Sequence, residues 1–83
     1  MTESQATMIV TTLAAAYPRE ALSEATFNLY VAKVTDLDLD PTVEAMHGII
    51  ESCDRFPTIA KIRNASGLVA LGMPRESASL AAG

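Results

Sequence analysis

The stretch that decides the fold runs from Tyr17 to Pro57 and reads YPREALSEATFNLYVAKVTDLDLDPTVEAMHGIIESCDRFP. It begins and ends with an aromatic–proline pair, Tyr17-Pro18 and Phe56-Pro57. A proline ring clashes with the preceding turn of a helix and drives the residue before it toward extended backbone. Each pair therefore predicts the end of a helix, with an aromatic ring available to pack under the turn.

Two helical patterns fill this stretch, and the acidic run DLDLD at residues 36–40 separates them. Ser23 is a natural N-cap for the first pattern. Asp40 is the predicted N-cap of the second, with Pro41 at the first helical position, where its missing N–H costs nothing. Both patterns place apolar residues at helical spacing. These residues are Phe27, Tyr30, Val31 and Val34 in the first, and Val43, Met46, Ile50 and Cys53, with Ile49 adjacent, in the second.

A further helix is predicted on each side of this stretch. The first starts near Thr2 or Ser4 and runs to about Ala16, and the fourth opens at Thr58, since these hydroxyls can cap free backbone N–H groups. The first helix is expected to bury Ile9, Leu13, Ala16 and Tyr17, widened by Met8 and Val10. The fourth is expected to bury Ile59, Ile62 and Ala65 and to end at Asn64, Ser66 and Gly67.

The sequence therefore predicts an all-α fold, a small bundle of four short helices. The bundle is expected to occupy residues 1–73, and residues 74–83 are predicted to form a short, weakly ordered tail. The apolar stretch at residues 68–73 exceeds what four short helices need. It is interpreted either as a fifth element that closes the bundle and frays, or as a surface for a partner.

The composition limits the class of protein. A chain of 83 residues holds one domain at most. Its 6 basic and 10 acidic residues give a net charge of −4, which argues against direct binding to duplex nucleic acid. A single cysteine and an acidic N-terminus without a signal-peptide pattern favour an intracellular protein.

No catalytic, cofactor or metal site is predicted. The alternating carboxylates of residues 36–40 suggest a calcium loop, but Pro41 stands where such a loop needs glycine and His47 stands where it needs glutamate. We interpret this run as a connector whose leucines pack inward and whose aspartates face water. His47 and Cys53 are the only soft metal ligands and cannot form a site alone. A nucleophile would also require a base and an orienting group, which the sequence does not offer.

Four separated segments carry a resemblance to a known family. They are LAAAYP at residues 13–18, SEAT at residues 23–26 leading to Tyr30, VTDLD at residues 34–38, and RFPTIAKIR at residues 55–63. Together they resemble the loader and inhibitor of the phage replicative helicase, a family of small all-helical proteins. The resemblance spans about residues 6–66. Its positions are helix ends and core positions, so it assigns no contact residue.

The resemblance implies a protein without enzymatic activity that binds a hexameric DnaB-type helicase. Such a protein holds the helicase inactive and delivers it to an origin complex through an origin-binding protein, in the cytoplasm of a bacterial host. The candidate contact surface consists of the apolar residues left over once the core is assigned, with two arginines as a polar rim. These residues are Leu68, Val69, Leu71 and Met73, with Arg63 and Arg75.

Two other functions fit the same pattern. One is a small regulator associated with nucleic acid, which would use the basic side chains of Arg55, Lys61, Arg63 and Arg75. The other is a homodimeric interaction module that buries residues 68–73 against a second copy. Steep salt dependence would identify the first, and light scattering at two concentrations would identify the second.

Overall fold

The computed structural model of the protein describes residues 1–72, and these residues form four helices and no strand. The helices are α1 (Glu3–Ala16), α2 (Glu24–Val34), α3 (Leu39–Ser52) and α4 (Ile59–Ala70). The predicted all-α bundle of four short helices is confirmed. Within the described part, no helix has the length and apolar character needed to cross a membrane. Met73 and the predicted tail of residues 74–83 lie outside the described residues.

Three of the four helices begin where the hydroxyl signals predict. Thr2 caps α1 in a capping box, in which its side chain accepts from the Gln5 N–H at 3.1 Å and its own N–H donates to Gln5 Oε1 at 2.9 Å. Ser23 caps α2, and Thr58 caps α4 through the Lys61 N–H at 3.1 Å. These caps satisfy backbone N–H groups that have no partner inside a helix.

Helix α3 differs from the prediction at both ends. Its N-cap is Asp38 and not Asp40, and the Asp38 side chain makes no capping hydrogen bond. The earlier start turns Leu39 toward the core, against which it packs, and leaves Pro41 in the first turn. The helix ends at Ser52, so Phe56-Pro57 does not close it but leads into the N-cap of α4.

The predicted end of α4 at Asn64, Ser66 and Gly67 is wrong, because the helix continues to Ala70. Ile62, Ala65 and Ser66 are buried and Val69 packs against the core, so the inward stripe runs past Gly67. The glycine that ends α4 is Gly72, which has a φ of 91°. Its N–H donates to the Val69 carbonyl at 2.9 Å, as expected for a glycine beyond a helix C-cap.

The helices alternate in direction. The Met1 ammonium group donates to the carbonyls of Thr35 at 3.0 Å and Leu37 at 2.8 Å, so α1 begins where α2 ends. The hydroxyls of Thr42 and Ser66 lie 2.8 Å apart, which places the start of α3 beside the end of α4. Helix α1 packs against α2 and α3, and α4 packs against α3 and α2. Leu71 therefore lies at the opposite end of the bundle from the α1–α2 and α3–α4 connections.

The core lies between the four helices and is made of medium-sized apolar side chains. Burial of each large aliphatic side chain contributes roughly 1.5–3 kcal/mol. Ala16 is exposed and Met8 is 58% exposed, so their predicted places on the buried face of α1 are wrong. Ile49 is fully buried and lies at the centre of the inward face of α3, not beside it. The buried apolar residues are Ala6, Ile9, Val10, Leu13, Tyr17, Val31, Val34, Ala45, Met46, Ile49, Ile62 and Ala65.

Candidate functional site

The predicted contact surface lies partly at the C-terminal end of α4. Leu68 and Val69 belong to the last turn of the helix, and Leu71 is its C-cap. Val69 packs against the core and Leu68 is half-buried, whereas Leu71 is 82% exposed. Val69 therefore holds this end of α4 against the core, while the large apolar side chain of Leu71 remains exposed.

The predicted rim residue Arg63 forms an ion pair with Asp36 and a hydrogen bond with the Lys33 carbonyl. Its guanidinium donates to Asp36 Oδ1 at 2.6 Å and Oδ2 at 2.9 Å, and also to the Lys33 carbonyl at 2.8 Å. This fork ties α4 to the C-terminal end of α2. The hydrogen bonds from Arg63 lower the pKa of the Asp36 carboxyl below its usual range, and Asp36 raises the pKa of Arg63. Arg63 thus acts first as a link between helices.

Met73 and Arg75, the remaining members of the predicted surface, lie outside the described residues. Leu68, Val69 and Leu71 are brought together by one helix end. Arg63 lies two turns earlier on α4 and faces α2. The structure therefore brings Leu68, Val69 and Leu71 together and places Arg63 apart from them, against the end of α2.

The acidic connector follows the interpretation made from its sequence. Leu37 and Leu39 pack against the core, and all three aspartates are exposed. Among residues 1–72, no three His, Cys, Asp or Glu side chains are grouped so that they could hold a metal ion. His47 is exposed on α3, and Cys53 is half-buried at its C-cap, with its side chain against the core.

The two aromatic–proline pairs meet at the opposite end of the bundle. The Tyr17 ring packs edge-on against Phe56 with centroids 5.8 Å apart, and Tyr30 packs against the same ring at 5.4 Å. The Tyr17 hydroxyl donates to the carbonyls of Cys53 at 2.9 Å and Ile49 at 3.3 Å. The Tyr30 hydroxyl donates to the Pro57 carbonyl at 2.9 Å. The expectation that each ring packs under a turn is confirmed.

Burial changes the acidity of both phenols. It raises the pKa of Tyr17 above the ordinary value of about 10, and the nearby charges of Cys53, Asp54 and Glu20 raise it further. Burial also raises the pKa of Tyr30, with a smaller contribution from Glu20. Both hydroxyls are therefore held in the protonated, donating form well above neutral pH.

A groove of ≈ 520 Å³ lies beside these rings, where the α1–α2 and α3–α4 connections meet. Arg19 and Glu20 line it from the first connection, and Asp54 and Arg55 line it from the second. Arg19 is a groove residue for which no sequence pattern predicted a role. The available signal was position, since Arg19 directly follows Tyr17-Pro18 and Arg55 directly precedes Phe56-Pro57.

No known family model matches this chain, and no curated protein and no solved structure is significantly similar to it.

Proposed function

We propose that this protein is a non-enzymatic adaptor that binds a hexameric DnaB-type replicative helicase and loads or inhibits it during phage DNA replication. The observation that carries the proposal is the way in which the segments of the family resemblance contact one another. Tyr17, Tyr30 and Phe56 come from three of those segments and form one ring cluster. Asp36 from the remaining segment forms the ion pair with Arg63. Short patterns that interlock in this way support a shared scaffold rather than unrelated local likenesses.

The exposed end of α4 supports a docking role for the scaffold. Leu71 stands out among the described large apolar side chains, because it is 82% exposed while Met8 and Leu29 are 58% and 50% exposed. An exposed apolar anchor beside half-buried neighbours suits a contact with another protein. The partner would supply the ATPase and the DNA channel. Such an adaptor works in the cytoplasm of the bacterial host, together with an origin-binding protein.

The test is capture of the partner from host and phage lysate, with identification by mass spectrometry. We expect a hexameric replicative helicase to be captured. A polymerase subunit or a repressor in its place would contradict the proposal.

Leu71→Asp tests the contact surface. We expect this variant to abolish co-elution with the captured helicase while the helical circular dichroism stays unchanged, because the Leu71 side chain makes little contact with the core. Met8→Asp is the matched control, since Met8 is an exposed apolar residue on α1 and should keep binding. Equal loss of binding in both variants would remove Leu71 from the contact surface.

A further inference from the structure

We propose that the outer face of α1 and α2 is an interface through which two copies of this chain associate. This α1–α2 face consists of outward residues of both helices and the groove between them. It is distinct from the C-terminal end of α4, so the inference does not depend on the helicase proposal. The residues that define the face are Thr7, Met8 and Thr12 on α1, and Asn28, Leu29 and Ala32 on α2.

The α1–α2 face differs from the rest of the chain in its charge. No charged residue occurs at residues 4–18 or 25–32, so the charges of the two helices are confined to Glu3, Glu24 and Lys33, near the helix ends. By contrast, residues 36–54, which include the acidic connector and α3, carry six acidic residues and no lysine or arginine. Two copies with a net charge of −4 each repel one another at those residues. The middle of the α1–α2 face is where two copies can meet with the least repulsion.

Two threonines of this face have their hydroxyl protons bonded within α1. Thr7 Oγ1 donates to the Glu3 carbonyl at 2.9 Å, and Thr12 Oγ1 donates to the Met8 carbonyl at 2.8 Å. A hydroxyl whose proton is bonded inside its own helix leaves no unsatisfied donor when a second surface covers it. Covering the α1–α2 face therefore costs less free energy than its number of threonines suggests.

Exposed apolar side chains accompany a groove in this face. The groove has a volume of ≈ 570 Å³, and its lining includes Thr7 from α1 and Asn28 and Ala32 from α2. Met8 follows Thr7 in the chain and is 58% exposed, and Leu29 follows Asn28 and is 50% exposed. Each wall of the groove therefore has one large apolar side chain next to it that the bundle itself does not cover.

The face carries both an exposed apolar side chain and a recess, which suits contact with a second copy of the same face. In a two-fold dimer the same patch meets itself, so Met8 of each copy is offered to the groove of the other. Methionine is unbranched and fills irregular gaps well. A basic partner would instead be attracted to the acidic residues 36–54 and would gain nothing from a face without charge. These properties favour a second copy over a charged partner.

The size of the face determines how strong the contact is. Helix α1 has 14 residues and is about 21 Å long, and two adjacent helices are about 20 Å wide. The footprint is therefore roughly 400 Å² per copy, about half of what each partner buries in a stable complex. We therefore expect a weak, reversible dimer that forms at high protein concentration.

The test is sedimentation equilibrium of the full chain at several protein concentrations and salt levels. We expect the dimer fraction to rise between about 10 µM and about 1 mM protein. It should rise further with added salt, because screening weakens the repulsion between two acidic copies. Backbone amide NMR signals should shift with protein concentration at residues 7, 8, 12, 28, 29 and 32.

Ala32→Glu should weaken dimerisation at least about tenfold, because it brings a carboxylate from each copy into the interface. Ala60→Glu is the matched control. Both alanines are exposed in helices and both variants have the same net charge, but Ala60 lies on α4. We expect the control to dimerise like the parent chain, and both variants to keep their helical circular dichroism.

A parent chain that stays monomeric at about 1 mM would overturn the proposal and leave the α1–α2 face to a different protein. Equal weakening by Ala60→Glu would also overturn it. So would concentration-dependent shifts confined to residues 68–71, which would assign self-association to the end of α4. The helicase contact is assigned to Leu71, so Ala32→Glu should still capture the helicase, and the two proposals can fail separately.

Discussion

At the scale of single residues, the buried hydroxyls of Thr42 and Ser66 allow a sharp prediction. Thr42 Oγ1 donates its only proton to the Asp38 carbonyl at 2.7 Å, so Ser66 must be the donor in the 2.8 Å contact between the two side chains. Thr42→Val removes both this acceptor and the donor to the Asp38 carbonyl, and it leaves the Ser66 hydroxyl buried without its partner. We expect a loss of about 1–3 kcal/mol in the free energy of unfolding, measured by urea denaturation.

Ser66→Ala is the matched change. It should lower the free energy of unfolding less than Thr42→Val does, by about 1 kcal/mol or below, because Thr42 keeps its bond to the Asp38 carbonyl. The double variant should lose less stability than the sum of the two single changes, since the two side chains share one hydrogen bond. If Ser66→Ala lowered the free energy of unfolding as much as Thr42→Val, the hydrogen bond from Thr42 to the Asp38 carbonyl would contribute nothing to stability.

At the scale of helices, two glycines in and after α4 should respond oppositely to the same substitution. Gly67 lies in the exposed helix interior, and an added Cβ there would meet no heavy atom within 4 Å. Gly67→Ala should therefore raise the free energy of unfolding by about 0.5–1 kcal/mol. Gly72 has a φ of 91°, a conformation that a residue with a Cβ atom adopts only with strain. Gly72→Ala should therefore lower the free energy of unfolding by about 1–2 kcal/mol.

Thermal unfolding followed by circular dichroism measures both effects on the same helix. The paired design matters because each variant serves as the control for the other and differs only in where the methyl group is added. A gain in stability at Gly72, or a loss at Gly67, would mean that α4 ends at the earlier glycine, as its sequence alone suggested.

The errors at the helix ends have a common physical origin. Thr2, Ser23 and Thr58 were predictable as N-caps because a hydroxyl cap acts on backbone N–H groups two or three residues away. Asp38 and Asp40 carry the same capping group, and the Asp38 side chain makes no capping hydrogen bond, so a local cap signal could not decide between them. Gly67 likewise carries a local stop signal that the buried stripe of α4 overrides.

The candidate site was also predictable only in part, namely where a residue's role depends on its own pattern and not on a tertiary contact. Leu71 was predicted as a contact residue because the core of four short helices does not need it, and its side chain is exposed. Arg63 was selected for its charge alone, and a charge pattern does not reveal a partner such as Asp36, which comes from the end of another helix. Arg19 and Arg55 become neighbours of one groove only when the two connections meet, and no local pattern encodes that contact.

At the scale of the whole molecule, the corner of Tyr17, Tyr30 and Phe56 joins all four helices. Tyr17 links the end of α1 to the end of α3 through the Cys53 carbonyl, and Tyr30 links α2 to the start of α4 through the Pro57 carbonyl. Phe56 packs against both rings. Both phenols must stay protonated to donate these bonds, so the stability of the entire bundle is tied to their ionisation.

This link predicts that the bundle loses stability in alkaline solution. The folded-state pKa of each tyrosine is raised, so above pH about 10 the unfolded chain binds fewer phenolic protons than the folded one, and the free energy of unfolding falls as pH rises. Below that pH both states are protonated and this contribution is constant. Urea denaturation from pH about 8 to pH about 11, a range that spans the ordinary pKa of a phenol, should show this fall in the free energy of unfolding.

The double variant Tyr17→Phe, Tyr30→Phe separates this effect from other alkaline changes. It keeps the ring packing but removes both hydroxyls, so it should be less stable at neutral pH by about 1 kcal/mol for each lost donor. Its stability should fall less steeply than that of the parent protein above pH about 10, because neither side chain can ionise. An unchanged slope would mean that the alkaline loss arises from other groups and that the corner does not couple phenol ionisation to the fold.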